Sequence, residues 1–272
     1  MYQLHISQQG ALVKNYRIRE YDSSDVPALK ALWQAVFGDP SSLLDRFFLL
    51  LPQIGSCCIA ESEGHIIGAA YILTDFVLRN LGQTDRRCAY LYAVATEETW
   101  RGNGIGRAVS IGAADLGRNR GAEMICTLPA EKSLYDWYAS ILNLTHTSTR
   151  SVFFSRENSL LIEPESFSLR PVSESVYLSR REELLRKTPH IIPGTAVFSF
   201  QAELCRTYGG GLYQWHDGVL CAYVEEDSIK VVEFLSYDGR MPSWLVPERQ
   251  DSCYICSDMA FPDGIVWNLT LD

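Results

Sequence analysis

Residues 88 to 106, CAYLYAVATEETWRGNGIG, constrain this chain more than any other stretch. The first part is almost continuously apolar, as in a strand covered on both faces at the centre of a sheet. The last part sets glycines at 102, 104 and 106. From there Ile105, Val109, Ala113 and Leu116 recur at helical spacing until Gly121, which stops the helix. A buried strand leading through a glycine turn into an amphipathic helix belongs to a layered α/β fold. It also leaves backbone N–H groups at a helix start, where an anion can sit.

The flanking segments extend that layer. YRIREYD alternates as a short strand. In SSDVPALKALWQAVFGD, Val26, Leu29, Leu32, Trp33, Val36 and Phe37 fall at helical spacing, with Ser24 or Asp25 as the cap and Gly38 as the stop. SSLLDRFFLLLP reads as a second helix ending at Pro52. SCCIAESEGHIIGAAYILTDFVL reads as a hairpin turning at Glu63-Gly64. After the glycine turn and its helix, AEMICTLPA is a strand ended by Pro129. Ser133 with Asp136 three residues on opens a further helix that carries Leu134, Tyr135, Tyr138, Ile141 and Leu142. The order β-α-α-β-β-β-α-β-α predicts a mixed sheet with helices against it, and a strand at 150–155 is expected to complete it.

At 272 residues the chain exceeds one ordinary domain, and the polar, proline-bearing stretch around 155–171 marks a boundary. Residues 1–158 and 159–272 are read as two domains. The second is a smaller α+β unit, with helices near 174–187 and 196–208, strands turning at His216-Asp217-Gly218 and Glu226-Asp227-Ser228, and strands near 252–257 and 264–271. A net charge of −9 argues against a chain-wide nucleic-acid footprint. No signal peptide or run of eighteen apolar residues is read, so the expectation is a cytoplasmic protein with no membrane and no nucleic-acid partner. The eight cysteines are too sparse for a disulfide scaffold, and Cys253-x-x-Cys256 has neither a second pair nor histidines at ligand spacing. Structural thiols and no metal are expected.

Spacing narrows which anion the turn would hold. A P-loop needs Gly, four residues and Gly-Lys-Ser/Thr, and residues 102–109 contain no lysine. A dinucleotide fingerprint needs G-x-G-x-x-G directly after a strand. Here Arg107 occupies the last glycine's place, and the turn lies well past Val94.

Arg101-x-x-Gly104-x-Gly106, after a strand and opening a helix, resembles the pyrophosphate-binding motif of the GNAT acyltransferase superfamily. The likeness runs over residues 16–155, is most specific over 90–138, and includes YAVATEETWRGNGIG and the aromatic-bearing CTLPAEKSLYDWYASILNL. Glu98 stands where many members carry proline, and Leu142-Asn143 where many carry Gly-aromatic. The resemblance implies a GNAT-like mixed central sheet flanked by helices, and a bacterial acyl-CoA-dependent N-acyltransferase. It implies acetyl-CoA as acyl donor and a small-molecule or peptide amine as acceptor. It implies donor contacts from Val94, Ala95, Thr96, Arg101, Gly102, Asn103, Gly104, Ile105, Gly106 and Ser133. Tyr138 falls on the family's catalytic tyrosine, which serves the departing thiolate. Two-domain relatives of the enhanced-intracellular-survival type bring the chain's terminal carboxylate into the active site, which here implies a role for Asp272. A member that has lost catalysis and only binds acyl-CoA, as a regulatory or interaction protein, is the other reading.

Overall fold

The computed structural model describes residues 15–79, 82, 84–127, 129, 133–142, 149–153, 161–162, 168–187, 190–225, 228–237, 241–242 and 254–258. In chain order the elements begin with β1 (Arg17–Glu20), α1 (Val26–Phe37), α2 (Ser41–Ile54), β2 (Gly55–Ser62), β3 (His65–Arg79) and β4 (Arg86–Thr96). Next come α3 (Ile105–Asn119), β5 (Met124–Thr127), α4 (Ser133–Leu142), β6 (Thr149–Phe153), β7 (Leu161–Ile162), β8 (Arg170–Pro171), α5 (Glu174–Leu185) and β9 (His190–Pro193). The remaining elements are α6 (Thr195–Thr207), β10 (Gly211–Trp215), β11 (Gly218–Glu225), β12 (Ser228–Ser236), β13 (Met241–Pro242) and β14 (Tyr254–Asp258).

The central sheet runs β1-β2-β3-β4-β5, antiparallel throughout except for the parallel pair β4–β5. The hairpin turn is where the sequence indicates it, with Glu63 at φ 48° and Gly64 at φ 81°. Two positive φ values define a type I′ turn, whose twist matches the strands it joins. β6 does not complete this sheet. It pairs instead with β14, from Tyr254↔Phe153 to Asp258↔Thr149. The strand signal at 150–155 is correct as a strand, but alternation carries no information about a partner one hundred residues away. The central sheet instead gains β9, which runs antiparallel to the far end of β3 from Phe76↔Pro193 to Arg79↔His190.

Helices cover both faces. Against one lies α3, whose Ile105, Val109, Ala113 and Ala114 pack with Ala70, Ile72, Ala89, Leu91 and Ile125, joined by Tyr138, Ile141 and Leu142 of α4. The helix sits close because a Cβ at Gly112 would lie 2.4 Å from Cys58 Sγ, and one at Gly117 2.9 Å from Ile72 Cγ1. It ends in a Schellman cap, with Ala122 N–H donating to Gly117 C=O at 3.1 Å and Gly121 N–H to Arg118 C=O at 2.8 Å. The other face is buried by α1 and α2 through Leu29, Trp33, Phe47 and Leu51, and by α6 through Val197 and Phe200. Each large side chain buried there contributes about 1.5–3 kcal/mol.

Two helix ends differ in detail from the sequence reading. Asp25, one of the two expected caps, is the N-cap residue of α1, but its side chain makes no cap hydrogen bond to that helix. Asp22 accepts from Ser24 N–H, while the Asp25 carboxylate turns back to Asp22 N–H and to the Arg19 guanidinium at 2.6 and 2.8 Å. α2 continues through Pro52 to Ile54, because a proline in the last turn sacrifices one hydrogen bond and the buried Leu51 and Ile54 offset it.

In the second half, β12-β11-β10-β8 form an antiparallel sheet packed on α5 and α6 through Tyr177, Leu185, Phe198, Cys205, Leu212 and Cys221. The His216-Asp217 turn joins β10 to β11 as expected. β7 and β13 make a short parallel pair. The six cysteines Cys57, Cys58, Cys88, Cys126, Cys205 and Cys221 are buried. Among the described residues no helix is long and apolar enough to cross a membrane, and no group of three or more His, Cys, Asp or Glu could hold a metal ion.

Candidate active site

After a first register shift between Cys88 and Tyr90, β4 pairs evenly with β3 from Tyr90↔Leu73 to Tyr92↔Tyr71. The next pair is Ala95 opposite Ala69, so Ala93 and Val94 together face the single residue Ala70. The extra residue is accommodated by Ala93 at φ 47°, in the left-handed region that a Cβ disfavours. On its other edge β4 pairs with β5 only as far as Leu91↔Thr127, where the Thr127 hydroxyl donates to Leu91 C=O at 3.2 Å. β4 then continues to Thr96 while β5 has stopped. Leu91↔Thr127 is thus the last pair of β4 with β5 among the described residues, one residue before Tyr92 and the bulge.

Beyond the strand, Glu97 N–H still donates to Ile67 C=O at 3.0 Å, and Ala95 and Thr96 stay paired with Ala69 and Gly68. A short 3-10 turn over Glu98–Trp100 follows, then Arg101 to Gly104. Gly102 and Gly104 both have φ 76°, with no protein atom within 4 Å of where a Cβ would stand. Their glycines therefore answer to backbone conformation and to open space outside the loop, not to internal packing. Asn103 ties the loop inward, its amide donating to Trp100 C=O and Arg101 C=O, each at 3.0 Å. Gly104 is the N-cap of α3 and uses no side chain, so the first-turn amides from Ile105 point outward unpaired. Ile105 is 1% exposed and anchors the helix start on Gly68, whereas Arg101 stands exposed beside it. N–H groups, the positive end of the helix dipole and a guanidinium thus lie together at the start of α3.

Tyr138 lies on α4 in the same cluster as Leu91 and Ile105, with Val94 packed against it. It is 9% exposed, and burial pushes its phenol up to about 12. Its neighbour Trp137, read as packing from sequence, reaches back to the loop, its Cη2 3.9 Å from where a Gly106 Cβ would stand, and its ring 4.7 Å from that of Tyr138. Ser133 is the first residue of α4 and exposed. Asp272 lies outside the described residues, as do the strand expected at 264–271 and Asn143.

Sequence reasoning missed the residues on the opposite face. An open pocket of about 540 Å³ lies beside Glu97, between Leu32 of α1 and His65 and Ile67 of β3. Nearer the bulge, Asp39 in the α1–α2 turn accepts from Trp33 Nε1 at 2.7 Å and from the Tyr208 hydroxyl at the end of α6. No pattern signals this, since the contact joins residues 169 apart. Ala93 is equally silent, because a bulge carried by alanine instead of glycine leaves no mark.

A mixed sheet covered by helices on both faces, with a bulged central strand leading through a glycine loop into a helix, is the layout of a GNAT-like α/β fold. The comparisons sharpen this. Residues 17–138 match the family model of the acetyltransferase (GNAT) domain. A comparison with curated protein sequences found no match. Among solved structures the chain is similar to a GCN5-related N-acetyltransferase from Kribbella flavida, with TM-score 0.57 and 16% identity over 84% of this chain and 59% of that one. It is similar to Eis1 from Mycobacterium abscessus, with TM-score 0.56 and 15% identity over 82% and 59%. A probable N-acyltransferase from Enterococcus faecalis gives TM-score 0.56 and 14% identity over 82% and 59%. The chain thus spans about three fifths of the length of these proteins, and at such identities the likeness is one of fold. It reaches well past residue 138, so the second half shares the architecture too.

Proposed function

We propose that this chain is a cytoplasmic N-acyltransferase that moves an acetyl group from acetyl-CoA to an amine. The observation that carries the reading is the coincidence, on one strand and its loop, of the Ala93–Val94 bulge with the open glycine cradle at 102–106. The cradle amides and Arg101 suit a pyrophosphate. The stretch of β4 beyond its last described pair with β5 suits an extended chain, and it carries the bulge. Val94, Ala95, Thr96 and Ser133 line the way. We take residues 1–158 as the catalytic unit and 159–272 as its companion, which closes the acceptor side through α6.

Acyl donor and amine yield amide and free thiol. The nitrogen attacks the thioester carbon, the C–S bond breaks, and the amine's proton ends on sulfur. The chain's part is to hold the carbonyl oxygen with bulge N–H groups as negative charge develops, worth about 10²–10³ in rate per donor. Tyr138 donates a hydrogen bond to the departing sulfur. A phenol near 12 is a weaker acid than a thiol of about 8.5, so Tyr138 stabilises the thiolate as a donor and does not lose its proton outright.

Calorimetric titration with acetyl-CoA tests the donor site, and thiol release over a panel of amines tests transfer. Binding with no release under any amine would favour the binding-only reading. No binding would overturn both.

A further inference from the structure

The carboxylate of Asp39 is half-buried, held by Trp33 and Tyr208, and no Lys, Arg or His pairs with it among the described residues. Its two partners belong to a wider aromatic group. Trp33 lies 5.8 Å from Tyr92, Tyr92 6.0 Å from Tyr90, and Tyr208 6.0 Å from Tyr223. The Tyr92 phenol is pushed up by burial and by its neighbours Tyr90, Asp39, Tyr223 and Tyr208, which locates it at the centre of the group. Tyr92 is also the residue immediately before the bulge, on the face opposite α3. The box is therefore built from both halves of the chain and lies next to the point where acyl transfer is proposed.

A carboxylate accepts at about four positions, and two protein donors leave room for more. A carboxylate with no cationic partner, next to the partly exposed Tyr90, Tyr92, Tyr208 and Tyr223, selects an ammonium ion over a neutral group. The nitrogen that attacks a thioester must be neutral, so it is not the group such a site holds charged. We propose that Asp39 is a specificity-determining residue that binds a second ammonium group of the acceptor, making the acceptor an aliphatic molecule with at least two amines. This rests on the acyltransferase reading above. The same chemistry is offered by a free polyamine and by neighbouring lysines of a peptide.

The test compares 1,4-diaminobutane, 4-aminobutan-1-ol and a Lys-Ala-Lys peptide against the full chain and Asp39→Asn, by calorimetric binding and by thiol release from acetyl-CoA. The wild type is expected to favour the diamine over the amino alcohol at least tenfold in kcat/KM, through KM. Asp39→Asn is expected to bring that ratio near one while its acetyl-CoA affinity and unfolding midpoint stay close to wild type. A preference for the peptide over the diamine assigns the source and keeps the site. Tyr208→Phe removes the tether but not the charge, so it is expected to retain the preference. Equal treatment of diamine and amino alcohol by the wild type overturns the proposal. So does a loss in Tyr208→Phe as large as that in Asp39→Asn, because Asp39 would then act only by holding Tyr208. If acetyl-CoA does not bind, the acyltransferase reading fails separately, and diamine binding lost in Asp39→Asn still supports the site. Binding of the diamine unaffected by that substitution overturns it.

Discussion

Tyr92 lies opposite Tyr71, and it is the last regular pair before β4 gains one residue on β3. The strain of that gain falls on Ala93 at φ 47°. Glycine at this position removes the Cβ conflict, so Ala93→Gly is expected to stabilise the fold by about 0.5–1 kcal/mol in urea denaturation. Deleting Ala93 restores even pairing between Tyr71 and Ala69. Circular dichroism is then expected to remain native-like while turnover falls by about 10²–10³, the cost of misdirecting one oxyanion donor. Undiminished turnover in the deletion would remove the bulge from the mechanism.

Gly104 combines φ 76° with open space, so a side chain there meets no protein atom. Gly104→Val pays about 1–2 kcal/mol in backbone strain, and it also sets a branched group where a phosphate must approach. Gly104→Asn pays less strain, since asparagine tolerates the left-handed region, but obstructs similarly. Both are expected to weaken acetyl-CoA at least tenfold by calorimetry. Wild-type affinity in Gly104→Val would mean that the anion sits elsewhere.

Tyr138 keeps its proton across the working range, because burial disfavours the phenolate and raises it to about 12. The rate should then show no descending limb from this residue below about pH 11. Tyr138→Phe is expected to lower kcat by about 10²-fold with acetyl-CoA affinity intact. A Phe variant as fast as wild type would reduce Tyr138 to a wall of the Leu91–Ile105 cluster.

What the sequence revealed divides by distance along the chain. The β4–loop–α3 unit is local, so its strand, glycine turn and helix could be read from apolar runs and spacing, down to the Gly121 stop. The Glu63-Gly64 turn was legible for the same reason. The partner of β6 was not, because Tyr254–Asp258 and Met124–Thr127 are equally good strands by pattern. Nor was β9, a four-residue strand whose edge place on β3 depends on Gly194 fitting against Asp75. Of the candidate site, the glycine loop and the helix start after it were readable in advance and the Asp39 group was not. Its members come from a turn, the central strand and the end of α6, and only tertiary packing collects them.

The two halves are also joined by a buried polar network. Arg181 of α5, fully buried, donates to Glu233 of β12 at 2.9 Å and 3.1 Å, and the buried Tyr177 hydroxyl donates to the same carboxylate at 2.8 Å. Arg181 also reaches Glu182 at 3.2 Å, which meets His190 of β9 at 3.1 Å and Arg79 of β3 at 3.4 Å. Removing one partner strands a charge, so Glu233→Leu is expected to cost about 3–5 kcal/mol, and Arg181→Met with Glu233→Leu to recover most of it. At the outer end, burial raises the Glu182 carboxyl, but the His190 hydrogen bond and the charges of His190, Arg181 and Arg79 outweigh it, leaving the group below its usual value. A depressed carboxyl stabilises the fold above its unfolded value of about 4.3, and that stability is lost as the pH falls through the folded value. Wild type is therefore expected to lose more stability than Glu182→Gln between pH 6 and pH 3 in denaturant titrations. Parallel losses in the two proteins would show that the acid sensitivity arises elsewhere, for instance at Asp25, whose carboxyl the Arg19 hydrogen bond holds low in the same sense.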